Sequence, residues 1–129
     1  MNFKEKENFV EIQKVITRVS KLAISSDLST DVLSTIDYVD TKLFEKDCEL
    51  KVLEFIKELE KLFSEGYCNY LELLNLFEIN IKTIEDLFDN EKGVLIMSED
   101  LKIRSNRLNL LSLIKNYSLK IADFTLLNS

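Results

Sequence analysis

The chain has 129 residues, of which 46% are hydrophobic and 31% charged, and its formal net charge is −6. This composition excludes a disordered chain and is typical of one globular domain with a buried core. Proline is absent and there are only two glycines, which excludes a fold built from many tightly turning strands. We therefore expect an all-α fold, with residues 1–129 forming a single helical domain.

Apolar residues recur every three or four positions along most of the chain, which predicts a compact bundle of about six amphipathic helices. In chain order the predicted helices cover about residues 4–25, 30–43, 47–65, 69–78, 80–88 and 98–126. Gly66 is expected to end the third helix in a left-handed conformation. The fourth helix is apolar on nearly every side and is predicted to be central. Residues 94–103 are predicted either to form a short β-hairpin or to lead directly into a last helix capped by Ser98.

The net charge is spread unevenly along the chain. Residues 27–91 contain 17 Asp and Glu against six Lys, a balance of −11, whereas residues 1–26 and 92–129 have balances of +2 and +3. One interpretation is that the terminal helices neutralise these acids within the fold. The other is that the acids face a basic partner, and crowding of like charge on the short fifth helix favours it. The candidate partner-binding residues are Glu85, Asp86, Asp89, Glu91, Asp37 and Asp40.

No catalytic, cofactor-binding or metal-binding residue is predicted. Histidine is absent, so neither a Ser–His nor a Cys–His nucleophile can form. Cys48 lies between Asp47 and Glu49, whose negative charges should raise the pKa of its thiol and lower its reactivity. A calcium loop centred on Gly93 would place Lys92 at a ligand position, so that motif fails. The sequence predicts a protein that is not an enzyme and has no cofactor.

Residues 71–90 resemble the helix-turn-helix of small repressors. The apolar positions of that motif are matched by Leu73, Leu74, Phe77, Ile84 and Leu87. The resemblance implies a DNA-binding regulator or a helical subunit of a nucleoprotein complex, with residues 94–103 as a wing. However, Glu85, Asp86 and Asp89 stand where a groove-reading helix needs cationic or amide side chains. Direct nucleic-acid binding is therefore not expected through this helix, although Arg104 and Arg107 offer a separate basic patch.

The leading hypothesis is a small acidic inhibitor, of antitoxin, immunity or anti-defence type, from a microbe or virus. It would occlude a basic surface on a larger protein or nucleoprotein complex. A further alternative is a structural subunit that forms a homodimer through its last helix, because four leucines lie off the main apolar stripe of that helix. These are Leu108, Leu111, Leu119 and Leu127. No membrane segment or secretory signal is predicted, so we expect the cytoplasm, or the host cytoplasm for a viral protein.

Overall fold

The computed structural model describes the backbone of residues 3–66 and 70–127 and the side chains of residues 10–66 and 71–120. Within these residues the secondary structure is helical, without strands, which confirms the all-α prediction. The helices are α1 (Phe3–Ala23), α2 (Asp47–Ser64), α3 (Tyr70–Ile79), α4 (Ile81–Leu87) and α5 (Leu101–Leu127), with a short 3₁₀ helix (Thr41–Leu43) between α1 and α2. None of the helices in this part of the chain is long and apolar enough to cross a membrane.

Helix α5 is the centre of the fold. It packs against α1, α2, α3 and the 3₁₀ helix, and the run Leu110–Ile114 is buried on every side. The prediction that the fourth helix would be central is wrong: in the corresponding α3, Leu73 and Phe77 are buried but Leu71 is 69% exposed.

The central position of α5 also corrects the predicted homodimer. Leu108 and Leu111 are predicted to be surplus apolar residues, but both are buried in the core that α5 shares with α1, α2 and α3. Leu119 is 40% exposed, and the side chain of Leu127 lies outside the described residues. Two of the four leucines that suggested self-association are therefore buried within the chain itself.

Helices α1 and α2 contribute conventional amphipathic stripes to the core. Among the described side chains of α1, those of Ile12, Val15, Val19 and Ala23 are buried, and the buried ones of α2 include Val52, Phe55, Ile56 and Leu59. The ring of Phe55 meets that of Phe77 from α3 edge to face, with centroids 5.2 Å apart. Burying each large side chain stabilises the fold by about 1.5–3 kcal/mol, which holds α2 and α3 against α5.

The predicted second helix is absent. Residues 24–46 form turns and extended backbone around the 3₁₀ helix, and we call them the crossing segment. Their polar side chains capture nearby backbone N–H groups: the hydroxyls of Ser26, Ser29 and Ser34 each accept the N–H two residues later. Such local hydrogen bonds compete with helix formation. The six-helix bundle predicted from periodicity therefore loses one member.

The geometry of α3 and α4 differs from that of a helix-turn-helix. A single residue, Asn80, separates α3 from α4, and α4 is only seven residues long. The predicted hairpin at 94–103 is also wrong, because residues 94–100 form turns and α5 starts at Leu101. The side chain of Asp100 accepts the N–H groups of Lys102 and Ile103 and so caps α5. This motif therefore has neither a full-length second helix nor a wing.

Both glycines stand at turns, and each is required there for a different reason. Gly66 follows α2 with φ +75°, the left-handed helix end expected from the sequence. Gly93 donates its N–H to the carbonyl oxygen of Asp89 at 2.9 Å. A Cβ at Gly93 would press against the carbonyl oxygens of Leu87 and Asp89, so the turn after α4 closes only around glycine.

Candidate functional site

A groove runs between the first half of α5 and the crossing segment. One part is lined by residues 37–41 on one wall and by α5 residues on the other. A second part continues towards the end of α1 and is lined by residues 25–28, Arg104 and Leu108. The two parts share Tyr38, Leu101, Ser105 and Asn109, so they form one continuous surface. We call it the α5 groove.

The side chains of the α5 groove combine an aromatic ring, cations, amide groups and the carboxylates of Asp27, Asp37 and Asp40. The Tyr38 side chain is 39% exposed and lies where the two parts meet. Lys102 is exposed, and Arg104 donates from Nε to the carbonyl oxygen of Ser98 at 2.8 Å. That bond uses one of the five N–H donors of the guanidinium, and Arg104 lines the second part of the groove. The ring suits a planar group of a ligand, and the two cations on α5 suit an anionic group beside it.

Asparagines on α5 fix the far wall of the groove. Asn106 pairs with both backbone groups of Asp40, accepting its N–H at 2.7 Å and donating to its carbonyl at 3.0 Å. Asn109 donates to the carbonyl of Tyr38 at 2.8 Å and accepts the hydroxyl of Ser26 at 3.3 Å. Residues without regular secondary structure thereby gain partners for their backbone groups.

A buried ion cluster lies beside the groove. The guanidinium of Arg107, only 3% exposed as a residue, donates to Glu45 and to the carbonyl of Leu95 at 2.6 Å each and to Glu49 at 3.4 Å. Glu49 is fully buried and also accepts the backbone N–H groups of Glu45 and Lys46. Arg107 thus joins α2, α5 and the turn before α5, and it is not available as part of a surface basic patch.

The six acids predicted to bind a partner fall into two groups. Asp37 and Asp40 line the α5 groove, whereas Glu85, Asp86, Asp89 and Glu91 lie on α4 and the turn after it. Two of the six already serve the fold. The carboxylate of Asp40 caps the 3₁₀ helix through the N–H of Lys42, and Asp89 accepts the N–H groups of Glu91 and Lys92 at 2.8 Å each. These bonds hold the pKa of Asp89 below its usual value. Contact of the set with a partner stays a prediction.

Two hydrogen-bearing side chains of the core, the Cys48 thiol and the Tyr117 hydroxyl, have raised pKa values. Burial, and next the neighbouring charge of Glu49, raise the pKa of the Cys48 thiol, the direction expected from the sequence. Burial and the charge of Glu60 raise the pKa of Tyr117, whose hydroxyl donates to the carbonyl of Leu33 at 2.6 Å. Among the described residues, no group of three or more His, Cys, Asp and Glu could hold a metal ion.

Of the groove residues, the sequence indicated Arg104, Asp37 and Asp40 but not Tyr38 or Asn109. Tyr38 was assigned to a helix that does not form, and the asparagines of α5 were not interpreted at all. Their positions did carry a signal: Asn106, Asn109 and Asn116 lie within and on both sides of the leucine-rich stretch 108–114. Buried amides on such a helix need partners, and the missing partners are the backbone groups of the crossing segment.

Comparison with known proteins gives one consistent result. No family model matches the chain, and no solved structure matches it. The chain is 34% identical over 116 residues, or 88% of its length, to the glycine–tRNA ligase beta subunit of Gloeothece citriformis. The beta subunit of Trichodesmium erythraeum is 31% identical over 125 residues, 95% of the chain, and that of Photobacterium profundum is 36% identical over 92 residues, 68% of the chain. The chain spans only 16%, 17% and 13% of these three relatives.

These similarities overturn the functional predictions made from composition and charge. The acidic inhibitor is wrong, and so are the DNA-binding regulator and the self-associating structural subunit, because the similar proteins are named as subunits of a tRNA ligase. The prediction that the protein is not an enzyme is wrong for the same reason, although the chain spans only part of these relatives. The sequence also predicted a larger basic protein as the partner and no direct binding of nucleic acid. This prediction is wrong, since the similar proteins are named as ligases of a tRNA.

Proposed function

We propose that this chain is a helical tRNA-contacting module of the kind found in glycine–tRNA ligase beta subunits. The similarity over 88% of the chain to the Gloeothece protein carries the proposal. In this proposal residues 1–129 act as one domain that binds tRNA. The ligase reaction belongs to the assembled enzyme, and the name beta subunit implies at least one other subunit as a partner.

The α5 groove is the surface that best supports tRNA contact. Phosphate contacts supply most of the affinity of proteins for nucleic acid, and Lys102 and Arg104 provide cations on one wall. Tyr38 provides an exposed ring on which a base can stack. Ser105 and Asn109 line both parts of the groove.

The negative side of the molecule orients the proposed complex. Glu85, Asp89 and Glu91 are exposed on α4 and the turn after it. Carboxylates there repel a polyanion, so tRNA approaches α5 rather than α4. Three acids, Asp27, Asp37 and Asp40, also line the groove and oppose a polyanion there, so the proposed phosphate contacts are confined to Lys102 and Arg104.

The test is equilibrium binding of the 129-residue chain to a glycine-accepting tRNA, measured by fluorescence anisotropy at several salt concentrations. Replacing Lys102 and Arg104 together by alanine should weaken binding by at least about tenfold and reduce the salt slope by roughly one to two, as expected for the loss of two phosphate contacts. Replacing Lys57 and Lys61 on α2, which are exposed and do not line the groove, is the matched control. That variant should bind within about twofold of the wild type.

Two results would contradict the proposal. One is that the unmodified chain shows no salt-dependent binding to tRNA at low ionic strength. The other is that the Lys57/Lys61 variant loses as much affinity as the Lys102/Arg104 variant. Equal losses would indicate diffuse attraction to positive charge rather than contact at the α5 groove.

A further inference from the structure

The crossing segment is attached to α5 by three asparagines, Asn106, Asn109 and Asn116, and the last two make the same kind of hydrogen bond in different surroundings. Asn116 is buried and donates to the carbonyls of Ser29 and Val32 at 3.0 and 2.7 Å. Asn109 lies about two helical turns earlier and is half-buried. Asn116 lines neither part of the α5 groove, whereas Asn109 lines both. The same kind of hydrogen bond is therefore made outside the groove by Asn116 and inside the candidate site by Asn109.

Asn109 connects the two walls of the groove that come from the crossing segment. Its amide N–H group donates to the carbonyl of Tyr38, and its oxygen accepts the hydroxyl of Ser26. Tyr38 also follows Asp37, whose φ of +71° turns the chain at this point. The backbone of Tyr38 is thus determined by a left-handed turn on one side and by Asn109 on the other.

We infer that Asn109 is a positioning residue that sets the direction of the Tyr38 ring across the α5 groove and thereby determines how tightly an exposed base of tRNA stacks there. This inference rests on the proposed function. Asn109 itself is already engaged by Tyr38 and Ser26, so it acts through the ring rather than by reading the base. Its effect on affinity must therefore disappear when the ring is absent.

A double-mutant cycle tests this inference. Tyr38→Ala should weaken tRNA binding by roughly tenfold, the scale of one base–aromatic stacking contact. Asn109→Ala should weaken it by at least about fivefold, and the double variant should bind within about twofold of Tyr38→Ala alone. Asn116→Ala is the matched control: its melting temperature should fall at least as far as that of Asn109→Ala, while its affinity at a temperature where it is folded stays within about twofold of wild type.

The outcomes separate the inference from the function on which it rests. If the wild-type chain does not bind tRNA, both are overturned. If it binds but the effects of Asn109→Ala and Tyr38→Ala multiply, or if Asn109→Ala binds like wild type, only the positioning role is overturned. Asn109→Ser is the second variant in case Asn109→Ala does not fold, because a serine hydroxyl is polar but too short to reach the carbonyl of Tyr38.

Discussion

Replacing Arg107 by methionine is the sharpest test of how the fold is held together. Methionine fills much of the volume of arginine but removes its charge and its hydrogen bonds to Glu45, Glu49 and the carbonyl of Leu95. The fully buried carboxylate of Glu49 would then have lost its cationic partner. Breaking a buried ion pair by removing one member costs about 3–5 kcal/mol.

The geometry places the expected loss at the lower end of that range. Glu49 keeps two backbone donors, the N–H groups of Glu45 and Lys46 at 2.8 and 3.2 Å. We therefore expect Arg107→Met to lower the free energy of unfolding by about 3 kcal/mol, a substantial part of the 5–15 kcal/mol typical of a domain. Adding Glu49→Gln removes the buried charge and keeps an acceptor for the two N–H groups, so the double variant should be more stable than Arg107→Met alone.

Urea unfolding followed by circular dichroism at 222 nm measures these differences. Arg104→Met is the matched control, since Arg104 lies on the same helix and donates to a single carbonyl, that of Ser98. Its loss should be about 1 kcal/mol or less. The reasoning is refuted if Arg107→Met and Arg104→Met cost the same, or if adding Glu49→Gln to Arg107→Met destabilises the protein further.

The remaining predictions concern the turns and the thiol. Gly93→Ala should destabilise the chain by at least about 2 kcal/mol and Gly66→Ala by about 1 kcal/mol in urea unfolding, because the first adds a clash with backbone and the second only left-handed strain. In a Cys68→Ser background, Cys48 of the native protein should react with iodoacetamide at pH 8 more slowly than Cys48 of the protein unfolded in urea, and Glu49→Gln should speed the native reaction. Equal native and unfolded rates would contradict this. By carboxyl-carbon NMR, Asp89 should titrate below 3.8. The charged Asp89 side chain therefore stabilises the fold at pH values above its unfolded pKa, and this stabilisation is lost as the pH falls through its folded pKa. A titration midpoint of Asp89 at the ordinary value would mean that its hydrogen bonds in the turn do not form in solution.

Periodicity predicted the helices whose stability comes from an apolar stripe. The stripes of α1 and α2 were predictable because Ile12, Val19, Val52 and Leu59 recur at helical spacing and are buried in the structure. The crossing segment was misassigned for a physical reason. Its apolar residues also recur at three and four positions, but serine side chains at Ser29 and Ser34 bond to the backbone and compete with the helix.

The candidate site was harder to predict because it depends on contacts distant in sequence. Tyr38 and Asn109 are 71 positions apart, and no local pattern reports such a pair. Charge patterning misled in the same way: Arg107 looked like surface charge, but it is buried against Glu45 and Glu49. Composition records how many charges a chain has, whereas function depends on which of them the fold leaves uncovered.

Amide chemical-shift mapping tests the central claim most directly. The isotopically labelled chain is titrated with a glycine-accepting tRNA at low salt, and the perturbed residues are placed on the structure. We expect the largest chemical-shift changes along the α5 groove, at Tyr38, Lys102, Ser105 and Asn109, and only small shift changes in α4. Perturbations centred on Glu85 and Asp89, or none at all, would contradict tRNA binding by the α5 groove.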